Sequence, residues 1–162
     1  ALILIAVVNH SWLLDDHAEE LAELEFQHAD ADRLRRGILD AAARHSGELG
    51  FARLREALGA AGLAPLLARV EAAITHRADW PARPEAAADD VAAWWRHVIS
   101  LHRKQRTLHK ELKDAERALG TDPSEENLRW LRDVQGRLSA LEGAEASIED
   151  FGVLSGRAAR SF

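Results

Sequence analysis

The apolar positions change rhythm along the chain. The first eight residues, ALILIAVV, are apolar without a break, which predicts a short helix buried on nearly every side and ended by Asn9 and His10. SWLLDDHAEELAELEF then spaces Leu14, Ala18, Leu21 and Leu24 for one helix face, with Ser11 as its cap. Asp30 is expected to cap ADRLRRGILDAAARH, whose Leu34, Ile38, Leu39 and Ala42 turn inward before Ser46 and Gly47 end it. FARLREALGAAG offers Phe51, Leu54 and Leu58 and stops at Gly62. LAPLLARVEAAITHR carries Pro65 early in the helix and Leu66, Leu67, Val70 and Ile74 on its apolar side. Five short helices joined by tight turns are the expectation.

ADWPARPE is the one stretch that reads as a linker, because Pro81 and Pro84 both bar a regular helix through it. Beyond it the spacing becomes regular. Val91, Trp94, Val98, Leu101, Gln105, Leu108, Leu112, Ala115 and Leu119 alternate by three and four, a seam of four heptads spanning roughly 43 Å. ALGTDPSEENLRW then reverses the chain: Gly120 is a helix stop, Asp122 an N-cap, Pro123 the first helical position and Glu125 the third residue after the cap. Leu131, Val134, Leu138, Leu141, Glu145 and Ile148 repeat the seam, so the short loop makes the two helices antiparallel neighbours. Trp94 and Trp95 are expected to pack the base of this pair. The fold class is therefore all-α: a small helical bundle over residues 1–84, followed by a long antiparallel helical hairpin over 85–151. Residues 152–162 read as a flexible tail with little to bury.

Composition agrees with helix. Hydrophobic residues make up 47%, most of them Ala and Leu, and only four prolines interrupt the chain. Cysteine is absent, which removes disulfide and thiolate-metal chemistry and fits a cytoplasmic protein. No run is long enough to span a membrane, and the missing initiator Met suggests a fragment of a longer protein.

Net charge is −6, but it is unevenly spread. Eight acidic residues and no Lys or Arg lie between Asp15 and Asp32, whereas six basic residues accompany the single Glu111 between Arg96 and Lys113. Arg96, Arg103, Lys104, Arg106, Lys110 and Lys113 are thus candidate contacts for nucleic acid, with Trp95 nearby for stacking, or for an acidic protein surface. The eight histidines lack zincin spacing, and Glu25-Phe-Gln-His28 supplies only one of the two Glu-x-x-His elements a di-iron bundle needs. No nucleophile elbow, glycine-rich phosphate loop or secluded carboxylate pair is present. The sequence shows no catalytic site, metal site or cofactor motif. Trp130, flanked by Arg129 and Arg132 near the hairpin tip, is of a residue type enriched in interface hot spots. Arg117, Arg129, Trp130, Arg132, Asp133 and Arg137 near the tip, with Ile148 and Phe151 at the far end, are the candidate partner contacts by local exposure.

The order of phrases also resembles a known family. VVNHSWLL, EELAELEF, DRLRRGILDAAA and GLAPLLARVE are followed by WWRHVISLHRKQRTLHKELKDAERAL and by ENLRWLRDVQGRLSALEGAEASIEDFG. Together they resemble the C-terminal, helicase-binding domain of bacterial DNA primase in its alphaproteobacterial form, from about Ala1 to Gly156. The resemblance implies a non-catalytic domain whose hairpin docks on the N-terminal domain of the hexameric replicative helicase. Primase would thereby be held at the fork, with its zinc-binding and nucleotidyl-transfer domains upstream. It implies no cofactor, no small-molecule substrate and no membrane. Related globular subdomains also bind the acidic tail of single-stranded-DNA-binding protein; the basic residues for that contact would lie around the first helix, where ALILIAVV has none.

Overall fold

The computed structural model describes residues 1–26, 28–45, 50–72, 77–143 and 154–156. Ser46, Gly47, Ile74, Glu145, Ile148 and Phe151 lie outside the described residues, as does most of the segment after 152. Within the described residues the chain is helical and contains no strand. Seven α-helices run α1 (Leu2–Asn9), α2 (Leu13–Glu23), α3 (Ala29–Arg44), α4 (Phe51–Ala60), α5 (Ala64–Ala72), α6 (Ala88–Thr121) and α7 (Glu125–Gly143). A 3-10 helix, Arg77–Ala82, precedes α6.

The uninterrupted apolar opening becomes the hub. Ile3 to Val8 are all buried, and α1 is in contact with α3, α4, α5, α6 and the 3-10 helix. A helix with no polar face is stable only when surrounded, and the other helices supply one apolar stripe each. Leu14, Leu21 and Leu24 turn inward as expected, as do Leu34, Ile38, Leu54, Leu58, Leu66 and Leu67. Leu63 closes a Schellman turn after α4: its N–H reaches the Leu58 carbonyl at 2.9 Å, the Gly62 N–H reaches Gly59 at 2.9 Å, and Gly62 has φ +72. Only glycine takes that backbone without strain, so the expected stop is explained by left-handed geometry.

The stretch expected to be a linker is instead a wall of this core. Pro81 sits inside the 3-10 helix, and Pro81 and Ala82 are buried. Asn9 Nδ2 donates to the Ala82 carbonyl at 2.7 Å, and His10 Nε2 lies 3.1 Å from the Pro81 carbonyl and 2.9 Å from that of Arg83. Carbonyls only accept, so His10 carries its proton on Nε2. The end of α1 is thereby tied to a segment some seventy residues away in sequence by the polar side chains of its last residue and its C-cap.

Three caps differ from expectation. Ser11 does not cap α2, whose N-cap is Trp12 without a side-chain bond. His28 Nδ1, not Asp30, takes the exposed amide at the start of α3, and Asp30 lies in its first turn. At the chain reversal α6 runs through Gly120 to Thr121, and Ser124 rather than Asp122 accepts from the Asn127 N–H, at 3.3 Å. The Asn127 side chain holds the loop from inside, donating to the Asp122 carbonyl at 2.8 Å and the Ala118 carbonyl at 3.4 Å.

With 34 residues, α6 belongs to two neighbourhoods. Val91, Trp94, Trp95 and Ile99 are part of the core around α1. Farther along, Leu108 packs with Val134 and Leu138 of α7, flanked by Leu112 and Leu141, in a separate apolar cluster. Ile99 and Leu108 are nine residues apart, which at about 100° per residue places them on opposite sides of the helix. The single seam expected through Val98, Leu101 and Gln105 therefore misses two buried residues, Trp95 and Ile99. Gln105 is exposed between the two clusters.

Candidate functional site

Charged residues expected to meet partners turn out to bind one another first. α2 ends at Glu23, where Leu24 turns extended and Arg35 Nη1 caps the freed Ala22 carbonyl at 2.5 Å. The chain then passes the middle of α6. Arg103 meets Glu23 at 3.0 Å, Arg106 meets Glu25, and His102 Nε2 lies 3.1 Å from the Glu25 carbonyl. Burial pushes the His102 imidazole below its ordinary value, against the opposing effect of that backbone bond. Trp95 Nε1 donates to Glu20 at 3.0 Å from a fully buried ring. The acidic run of α2 is therefore clasped to the basic run of α6. This corrects one expectation: Trp95 is a core residue and offers no stacking face. Glu25 and His28, the lone Glu-x-x-His element, are engaged with Arg106 and with the start of α3.

A second network crosses from α6 to α7 along one edge of their seam. Arg137 donates to both oxygens of Glu111, at 3.0 and 2.8 Å, and to Asp133 at 3.2 Å. Trp130 Nε1 donates to the same Glu111 at 3.3 Å, and the residue is 36% exposed. The Arg137 bonds, then that of Trp130, hold the Glu111 carboxyl below its usual value, and Glu111 with Asp133 raises Arg137. Residues 111, 130 and 137 converge because 130 and 137 are seven apart, about two turns, on the α7 edge facing Glu111. Sequence reading singled out Trp130 and Arg137 but treated Glu111 only as an exception in a basic run. Being that exception was the available signal.

No family model, curated protein or solved structure matches the chain.

The remaining candidates are exposed. Arg117 pairs with Asp114 at 3.0 Å and Arg129 with Glu125 at 3.7 Å, both within their own helix, and Arg132 projects on the outer face of α7. Such pairs contribute a few tenths of a kcal/mol and leave the side chains available. Trp130, Asp133 and Arg137 thus cluster on one flank, while Arg129 and Arg132 face away from α6. Of the basic candidates, Arg96, Lys104, Lys110 and Lys113 have no ion pair in the described structure, unlike Arg103 and Arg106.

At the other end of α6 the last described residues form a latch. Ser155 donates from its N–H at 2.8 Å and its hydroxyl at 2.5 Å to Asp90, which is 5% exposed, and its hydroxyl oxygen accepts from the Ala87 N–H at 2.9 Å. Ala87 is the N-cap of α6, so a serine from the C-terminal segment satisfies an amide that the local sequence leaves open. Residues 154–156, expected to be part of a flexible tail, are a turn bound to the start of α6, with Gly156 at φ +74. Among the described residues no group of three metal-ligating side chains converges, and no helix is long and apolar enough to cross a membrane.

Proposed function

We propose that the chain is a non-catalytic interaction domain, the helicase-binding region of a DNA primase. On this reading a bundle of α1–α5 carries α6 and α7 as a projecting hairpin, which docks on the N-terminal domain of the hexameric replicative helicase and couples priming to unwinding. The observation that carries it is the outer half of the α6–α7 pair. That half has its own small seam of Leu108, Val134 and Leu138, apart from the core, and exposes Trp130, Arg129 and Arg132 near the reversal. An aromatic ring held at one edge by Glu111 and bordered by arginines has the make-up of an interface anchor. The resemblance in sequence order supplies the identity of the partner. The bundle surface is the corresponding place for an acidic tail of single-stranded-DNA-binding protein, although α1 carries no basic residue to receive one.

The test is a calorimetric titration of this chain into the hexameric replicative helicase at moderate salt. Saturable binding is expected, with Trp130→Ala weakening it at least about thirtyfold, corresponding to an anchor worth about 2 kcal/mol. Absence of heat and of a complex on gel filtration would reject the reading.

A further inference from the structure

The side of α6 turned away from the α7 seam carries a row of cations. Arg103, Arg106, Lys110, Lys113 and Arg117 follow one another at spacings of three, four, three and four, so all five lie on one side of the helix. Lys110 is two residues from Leu108, about 200° around the helix, so this side is opposite the α7 seam. The stripe extends about 21 Å at 1.5 Å per residue. Helicase docking through the α7 flank would leave it open. Lys104 falls off the stripe, Arg96 lies on its side of the helix but two turns before Arg103, and Arg117, a candidate near the hairpin tip, belongs to it. The carboxylates that touch it are Asp114, paired with Arg117, and Glu23 and Glu25, paired with Arg103 and Arg106.

We infer that this stripe is a phosphate-binding ridge for duplex nucleic acid, partly occupied in the free protein by its own Glu23 and Glu25. Five cations in line on a convex helix match a regularly spaced, sequence-independent row of negative charge, and a duplex carries that row at the higher density. Single strands are held by rings on which bases stack, and the stripe presents none. Trp94 and Trp95 are buried, Phe26 is packed on the core and on His102, and Trp130 sits across the helix on Glu111. The net charge of −6 confines binding to the ridge and repels the duplex elsewhere, whereas counterion release from the phosphates held by the ridge makes affinity rise as salt is lowered. Glu23 and Glu25 are 72% and 74% exposed, so phosphates can displace them without opening the core.

The experiment measures anisotropy of a fluorescein-labelled 20-base-pair DNA, about 20 base pairs being longer than the ridge, from about 25 to 200 mM NaCl. Binding is expected with a log–log salt slope of about −4 to −5, near −0.9 per neutralised phosphate. Lys110→Ala with Lys113→Ala should cut the slope by about two and weaken binding at least about tenfold at low salt. Glu23→Gln with Glu25→Gln should tighten it about threefold, because two cations are released from their internal partners. Alanine is a good helix former at both exposed lysines, and unchanged circular dichroism confirms that folding is preserved. Trp130→Ala should leave duplex affinity unchanged, which separates this surface from helicase docking. No binding at low salt, an unaltered slope in the lysine variant, or weakening by the glutamine variant would overturn the inference. Tighter binding of the matching single strand would also overturn it. Displacement of the duplex by polyglutamate at equal charge would assign the ridge to an acidic protein instead.

Discussion

The cluster around α1 and the seam between α6 and α7 bury the same kinds of residue in different ways. Around α1, four further α-helices and the 3-10 helix close on a segment with no polar face, and the polar groups at its end are bonded inward to Pro81, Ala82 and Arg83 carbonyls. In the seam Leu108, Ala115, Val134 and Leu138 are the buried residues among those described, and the polar network beside them is exposed to water. A residue enclosed on all sides loses its whole transfer energy when truncated, whereas a residue in a two-helix seam has solvent close by on both edges. The core should therefore fail as a unit, and the seam should open by itself.

The largest effect is expected where α6 enters the core. Trp95→Ala should cost about 3–5 kcal/mol, the range for removing a buried aromatic. Urea unfolding followed by circular dichroism checks it against Leu138→Ala in the seam, expected near about 2 kcal/mol because that site lies at an open edge. Equal losses would abolish the distinction. Val134→Asp attacks the seam directly by placing a carboxylate where only apolar partners exist. Hydrogen exchange should then show α7 amides losing protection while α1 and α3 amides keep theirs. Loss of protection in α1 would mean that both regions unfold together.

Acid should separate the regions in the same order. Burial lowers the folded-state pKa of His10 below 6.5, so the folded protein binds that proton less tightly than the unfolded chain. Its stabilising contribution is complete above about pH 6.5 and is lost as pH falls from there through the lowered value. His102, also lowered, acts in the same direction at the α2–α6 clasp. Glu111 is depressed from 4.5, so its bonds across the seam persist until pH falls below that value. Between about pH 6.5 and 4.5 the core weakens while the seam network is intact. The urea midpoint should be lower at pH 5.5 than at pH 7.5, and His10→Gln, which keeps a donor but does not titrate, should narrow the gap. An unchanged gap would remove His10 from this role.

Much of this division was legible in the sequence, and the misses have physical causes. Periodicity located α1 and the Leu108–Val134–Leu138 seam because a helix buried all round and a helix buried on one stripe leave different patterns. It failed at Trp95 and Ile99 because α6 changes neighbours, and a pattern read as one seam cannot show a change of face. Pro81 was read as a breaker because prolines exclude α-helix, yet a 3-10 turn tolerates one, and burial of that turn was decided by Asn9 and His10 far away in sequence. Glu111 and Ser155 lay beyond local reading for the same reason: each is defined by a partner brought near only by the fold. The candidate contacts on α7 were legible as residue types, but their separation into a Glu111-bound flank and an outer face required the register of the helix pair.

The smallest effect gives the finest comparison. Gly136 and Gly37 both lie inside helices, where alanine is favoured by about 0.8–1 kcal/mol. A methyl group on Gly136 meets nothing within 4 Å, so Gly136→Ala should deliver nearly that full amount to α7. At Gly37 the same methyl group would lie 2.2 Å from Leu63 Cδ1 and 3.4 Å from Leu58 Cδ2. Leu63 is buried in the closing turn of α4, so it must leave its packed position, and the propensity gain is offset. Gly136→Ala should therefore slow hydrogen exchange in α7 while leaving the slowest amides of α1 unchanged, and Gly37→Ala should stabilise neither region. If Gly136→Ala protected α1 as much as α7, the seam would open only with the core, and the two clusters would form one cooperative unit despite their separate packing.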